Sequence, residues 1–131
     1  MSTNPQGPLF NKVVIIGVGL IGSSLAHNIR KHGLAKEVVG VSRSAENREK
    51  ILELGLAHSV TDNAAEAVIG ADCVLLCTAV GAYGSLAKQI SANLAPGCIV
   101  SDVGSTKGSV IADVKPHIPD GAFFVPAHPI A

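Results

Sequence analysis

KVVIIGVGLIGS, Lys12 to Ser23, decides how this chain is read. A short apolar run, Val13 to Ile16, gives way to Gly17, Gly19 and Gly22, and a helical pattern begins at once. The spacing is G-x-G-x-x-G, the turn between the first strand and first helix of a dinucleotide-binding βαβ unit. Each glycine has its own task. Gly17 permits the tight turn, Gly19 lets a pyrophosphate approach the backbone, and Gly22 lets the helix pack closely on the strand. Leu20, Ile21 and Gly22 then open the helix, whose N–H groups and positive dipole end suit phosphate oxygens. Glycines also punctuate ordinary turns. What strengthens the motif is its setting, with strand, glycines, helix and a second strand in the right order.

The chain around this turn alternates strands with helices. The pattern predicts a helix from Leu20 to His32, closed by Gly33, and a strand from Glu37 to Val41. A second helix spans Ser44 to Leu54, stopped by Gly55, and His58 to Val60 is a short strand. Asn63 with Glu66 three residues on resembles a capping pair for a short helix ending near Gly70. Asp72 to Thr78 is a continuous apolar run, the mark of a central parallel strand. Gly81 to Gly84 reads as a loop, Ser85 to Leu94 as a helix and Cys98 to Asp102 as a strand. Thr106 to His117 reads as a helix and Ala122 to Pro126 as a last strand. The expected fold is α/β, a doubly wound parallel sheet of about six strands, the Rossmann-type NAD(P)-binding architecture. Residues 1–11 read as a flexible leader and 12–131 as the dinucleotide-binding domain.

Composition narrows the function. Hydrophobic residues make up 47% of the chain and charged ones only 15%, as a sheet buried on both faces requires. Ten basic residues cancel ten acidic ones and no basic run occurs, so nucleic-acid or membrane-surface binding has no support. No apolar run approaches the ~20 residues that span a bilayer, and a cytoplasmic protein is expected. Cys73 and Cys77 lie ~13 Å apart along one strand, too far for a disulfide. With Cys98 they read as small buried hydrophobes. No metal-ligand spacing is present.

In a doubly wound sheet, ligands bind beyond the carboxyl ends of the strands, where the strand order reverses. That directs attention to Gly17–Gly22, Ser42–Ser44, Thr78–Tyr83, Asp102–Lys107 and Ala127–Pro129. An NAD-preferring domain usually has Asp or Glu about 20 residues past the glycines, bonding the ribose 2′-hydroxyl. Here Ser42, Arg43 and Ser44 occupy that place. Serine removes a charge that would repel a 2′-phosphate, and Arg43 offers a planar multi-donor partner for one. NADP is therefore the expected cofactor, with NAD the alternative. The plainer account makes Arg43 a solvated loop residue and Ser44 a helix cap. Ser105 likewise suits a helix cap, and Lys107 lies in a first turn, where the dipole disfavours a cation. His128 follows the last strand and precedes Pro129, which biases it to extended backbone. Histidine is the side chain best suited to accept a proton near neutral pH, although a lone histidine is more often structural.

Three segments together resemble the prephenate and arogenate (cyclohexadienyl) dehydrogenases of tyrosine biosynthesis. They are VGLIGSSLA (Val18–Ala26), SDVGSTKGSV (Ser101–Val110) and PAHPIA (Pro126–Ala131). The first is shared with many dehydrogenases; its combination with a Gly-Ser-x-Lys turn and a strand-end His-Pro is more specific. The resemblance implies NAD(P)-dependent oxidative decarboxylation, in which a cyclohexadienol loses hydride from its carbinol carbon and its ring carboxylate as CO2. It implies that His128 takes the hydroxyl proton and that Ser105, after Gly104, hydrogen-bonds near that histidine. It also implies that Thr78, Ala79 and Val80 wall the nicotinamide ribose. Family members continue past the histidine into a helical domain that completes the substrate pocket and forms a homodimer. The expectation is that this chain is the cofactor part of a longer enzyme, inactive alone. The rivals are another dehydrogenase of the same nucleotide fold, such as a β-hydroxyacid or imine reductase, and a non-catalytic NAD(P)-binding regulatory module. Prephenate and arogenate are not separated by these residues.

Overall fold

A computed structural model describes residues 9–78, 82–102 and 114–125. In chain order the described elements are β1 (Phe10–Ile16), α1 (Leu20–Lys31), β2 (Ala35–Val41), α2 (Ala45–Glu53), β3 (Ser59–Thr61) and α3 (Ala64–Ala67). Then follow β4 (Cys73–Leu76), α4 (Tyr83–Ile90), β5 (Ile99–Asp102) and β6 (Phe123–Val125), with 3-10 turns at Ser91–Asn93 and Lys115–His117. The six strands form one parallel sheet in the order β3-β2-β1-β4-β5-β6. Strand order reverses between β1 and β4, where Val13 to Ile16 pair with Cys73 to Leu76. The expected doubly wound sheet is therefore present, with the Asp72–Thr78 segment at its centre.

Alternation along the central strands feeds two cores. Val13 and Ile15 face α1 and α2, packing with Ala26 and Ile51. Val14 and Ile16 face the other way, with Tyr83, Ala87 and Ile90 of α4 and with Val114. The paired segments Val13–Ile16 and Cys73–Leu76 are thus apolar at every position, the pattern of a strand covered on two faces. Helix ends follow local chemistry. Gly33 (φ +62°) closes α1 in a left-handed conformation, with Gly33 N–H donating to Arg30 O and Leu34 N–H to Ile29 O. Asn63 caps α3, accepting from Glu66 N–H at 3.1 Å while its amide donates to the Glu66 carboxylate, as the sequence suggested.

Several boundaries differ from the sequence reading. β1 starts at Phe10 because the Asp72 carboxylate accepts from the N–H groups of Asn11 and Lys12, at 2.8 and 2.7 Å. β2 starts at Ala35, and β3 is shifted by one residue to Ser59–Thr61. Helix α4 begins at Tyr83, inside the expected Gly81–Gly84 loop, and ends at Ile90 rather than Leu94. Its early start has a tertiary cause: Tyr83 is fully buried and its hydroxyl donates to Leu76 O at 3.0 Å. Of the expected Thr106–His117 helix, the described part ends in a 3-10 turn containing Pro116, which cannot donate a helical hydrogen bond. No helix among the described residues is long and apolar enough to cross a membrane.

Candidate functional site

A cavity of about 640 Å³ opens at the carboxyl ends of β1, β2 and β4, at the reversal of strand order. Gly17, Val18 and Gly19 form one wall, Ser42 and Arg43 a second, and Cys77 and Thr78 a third. The turn owes its shape to its glycines. Gly17 has φ +88°, and a Cβ there would lie 2.5 Å from Thr78 Cγ2. A Cβ on Gly22 would lie 2.6 Å from Gly17 O, so only glycine lets α1 lie against the end of β1. A Cβ on Gly19 would meet nothing within 4 Å. Gly19 therefore borders open space at the start of α1, whose first turn has neither a side-chain cap nor an acidic residue. Uncapped N–H groups beside an open cavity are what a phosphate group requires. The residues present fit a dinucleotide's pyrophosphate.

The loop after β2 is held by its own side chains. Ser42 Oγ accepts from Asn47 Nδ2 at 2.9 Å, and Ser44 Oγ caps α2 by accepting from Asn47 N–H at 3.2 Å. Arg48 Nη1 donates to the carbonyls of Ser42 and Arg43, at 2.8 and 3.1 Å. Asn47 also reaches Val18 O at 3.4 Å, joining this loop to the glycine turn. Arg43 is exposed and lines the cavity, where it can meet an anionic group from solvent.

The Cys77 thiol on the cavity wall is pushed up to about 12, by burial first and then by the negative charge of Asp102. It stays protonated at neutral pH and serves as an apolar wall rather than a nucleophile. Cys73 is raised to about 12 and Cys98 to about 11, again chiefly by burial. Among the described residues no three metal-ligating side chains come together.

The structure thus gathers Gly17, Gly19, Ser42, Arg43 and Thr78 around one cavity. Ile21 and the buried Gly22 lie in the first turn of α1 without lining it, and Ser44 acts as a cap. Ala79, Val80, Gly104, Ser105, Lys107 and His128 lie outside the described residues. The sequence reading missed Asn47, Asp62, Ala64, Leu86 and Gln89 as lining residues. Asn47 had a local signal, standing three residues after a capping serine, where a polar side chain can reach back past the helix start. The others come together only through the sheet.

The family described as prephenate dehydrogenase, nucleotide-binding domain, matches residues 25–131. The curated cyclohexadienyl dehydrogenase of Zymomonas mobilis is 37% identical over 123 residues, covering 94% of this chain and 42% of that protein. Among solved structures, the prephenate dehydrogenase of Aquifex aeolicus in complex with hydroxyphenyl propionate and NAD+ gives a TM-score of 0.82 at 29% identity. That match covers 92% of this chain and 42% of the other. The arogenate dehydrogenase of Synechocystis gives 0.80 at 29% identity, covering 90% and 40%. The chain spans less than half the length of each of these relatives.

Proposed function

The chain belongs to the nucleotide-binding domain family of the prephenate dehydrogenases, and from that premise we propose that it is the cofactor-binding part of an enzyme for the NAD(P)-dependent oxidative decarboxylation of prephenate or arogenate in tyrosine biosynthesis. The observation that carries the reading is the cavity at the strand reversal, bounded by Gly17 and Gly19 on one side and by Ser42 and Arg43 on the other. Cytoplasmic location and a homodimeric longer protein belong to the same proposal. So does the expectation that residues 1–131 bind cofactor without useful turnover, because catalysis needs the substrate held in near-attack geometry.

The start of α1 receives the pyrophosphate through the N–H groups of Leu20, Ile21 and Gly22. Ser42, Arg43 and Ser44 border the adenosine ribose, and NADP is preferred because Arg43 meets a 2′-phosphate and no carboxylate stands at position 42. Thr78, with Ala79 and Val80, walls the nicotinamide ribose. When bound, the dinucleotide supplies the hydride acceptor. His128 takes the proton of the substrate hydroxyl, and Ser105, after Gly104, hydrogen-bonds near that histidine and the substrate hydroxyl. Loss of the ring carboxylate as CO2 then yields an aromatic ring, which drives the reaction forward.

The test is a binding titration of this chain with NAD and NADP, followed by a two-substrate assay of the longer protein. NADP-dependent turnover of prephenate or arogenate is the expected result. Binding without turnover of either substrate by the longer protein would return the chain to the regulatory-module reading.

A further inference from the structure

We propose that Asp62 is a second selectivity residue of this cleft, whose carboxylate opposes the 2′-phosphate of NADP and limits the preference that Arg43 creates. The inference rests on the cleft's assignment to an adenine dinucleotide. Position 42 at the end of β2, where a carboxylate would select NAD, holds serine. The neighbouring strand supplies one instead. β2 and β3 are parallel, with Val41 paired to Thr61, and Ser42 N–H donates to Thr61 O at 3.0 Å. Asp62 therefore leaves β3 beside the Ser42–Arg43 segment leaving β2. Asp62, Ser42 and Arg43 all line the same cavity. The local structure is built by its neighbours. Asn63 caps α3, and Asn63 N–H donates to Thr61 Oγ1 at 3.1 Å. Asp62 takes no part in the hydrogen bonds of that cap.

Two opposite charges on one rim act in opposite senses on the one feature that distinguishes the two cofactors. A 2′-phosphate is attracted by Arg43 and repelled by Asp62, whereas the neutral 2′-hydroxyl of NAD can donate to a carboxylate. Both side chains are exposed, so the effect is several-fold rather than many orders of magnitude, and salt weakens it.

The experiment measures dissociation constants of this chain for NADP and NAD, in wild type, Asp62→Asn, Asp62→Glu and Arg43→Ala. Measurements are made at low salt and at about 0.5 M, where the screening length falls to a few ångströms. Asp62→Asn should tighten NADP about 3–10-fold while NAD stays level or loosens, and high salt should shrink the gain. Asp62→Glu should keep the wild-type ratio, and an unchanged melting temperature would show that the variants are folded. A NADP-to-NAD ratio within twofold of wild type in Asp62→Asn, or equal changes for both cofactors, overturns the proposal. Wild type that binds neither dinucleotide overturns the cleft assignment, and Asp62 falls with it. An unaltered ratio in Arg43→Ala overturns only the role of Arg43, because the Asp62→Asn comparison stands independently.

Discussion

The position a Cβ would take on Gly22 lies 2.6 Å from the carbonyl oxygen of Gly17. Two glycines of one turn therefore differ in kind from the third, since Gly19 borders open space. Gly22→Ala has to push α1 away from β1. It should cost about 1–3 kcal/mol of stability, the usual result of overpacking, and should weaken both NAD and NADP. Gly19→Ala should change stability by less than about 1 kcal/mol, the scale of an N-cap substitution, yet lose cofactor affinity because the methyl group fills the approach to the helix start. Denaturant unfolding and binding titrations of the two variants check the contrast. Equal stability losses would overturn the distinction drawn between the two glycines.

Asn47 joins the two loops that border the cavity, donating to Ser42 Oγ at 2.9 Å and to Val18 O at 3.4 Å. Asn47→Ala removes both contacts and leaves their acceptors facing a cleft that water can enter. The stability loss should be about 1 kcal/mol, typical of one net hydrogen bond. Affinity for NAD and NADP should fall together, because the loop's position changes and its charge does not. An effect confined to NADP would instead place Asn47 on the 2′-phosphate. Parallel calorimetric titrations with the two dinucleotides distinguish these outcomes.

The glycine turn, the capping pair Asn63–Glu66 and the apolar run at Asp72–Thr78 were legible because each depends on residues a few positions apart. The extension of β1 to Phe10 was not. It depends on the carboxylate of Asp72, about sixty residues away, accepting from Asn11 and Lys12. The start of α4 at Tyr83 was hidden for a similar reason. A glycine at position 84 disfavours helix, and the buried hydroxyl contact to Leu76 O outweighs that preference. The site divides in the same way. Gly17, Gly19, Ser42 and Arg43 are found by counting from the glycines. Asp62 reaches the cavity only because β3 pairs with β2, and Gln89 only because α4 packs against β1 and β4.

The cysteines carry a pH dependence of definite sign. Cys73 and Cys77 are raised in the native state from an ordinary value of 9.0 to about 12. The folded chain then holds thiol protons that the unfolded chain releases, so stability falls as pH rises. This contribution is fully present below about pH 9 and is lost progressively towards pH 12. Urea midpoints should therefore drop between pH 8 and pH 10.5. The drop should be shallower in Cys73→Val, which removes the thiol and keeps a small apolar side chain. Alkylation of the native chain at pH 8 should be slow at all three cysteines. Rapid labelling of Cys77 without unfolding would contradict the raised pKa of this half-buried thiol on the cavity wall.

His128 carries the chemical step in the proposed reaction, and its test requires the longer protein. Hydride leaves the carbinol carbon only as the hydroxyl becomes a carbonyl, so a base must accept the hydroxyl proton. Imidazole ionises near neutrality, which leaves it unprotonated yet basic under cellular conditions. His128→Asn keeps a polar group of similar reach that cannot accept the proton. Fold and cofactor affinity should be preserved while turnover falls about 10²–10⁴-fold, the usual contribution of a general base. The wild-type rate should also decline on the acid side through one ionisation, as protonated imidazole cannot act as the base. The residual rate of the variant should lack that decline. Near-normal turnover in His128→Asn, or an acid limb that survives the substitution, would assign the proton transfer to another group.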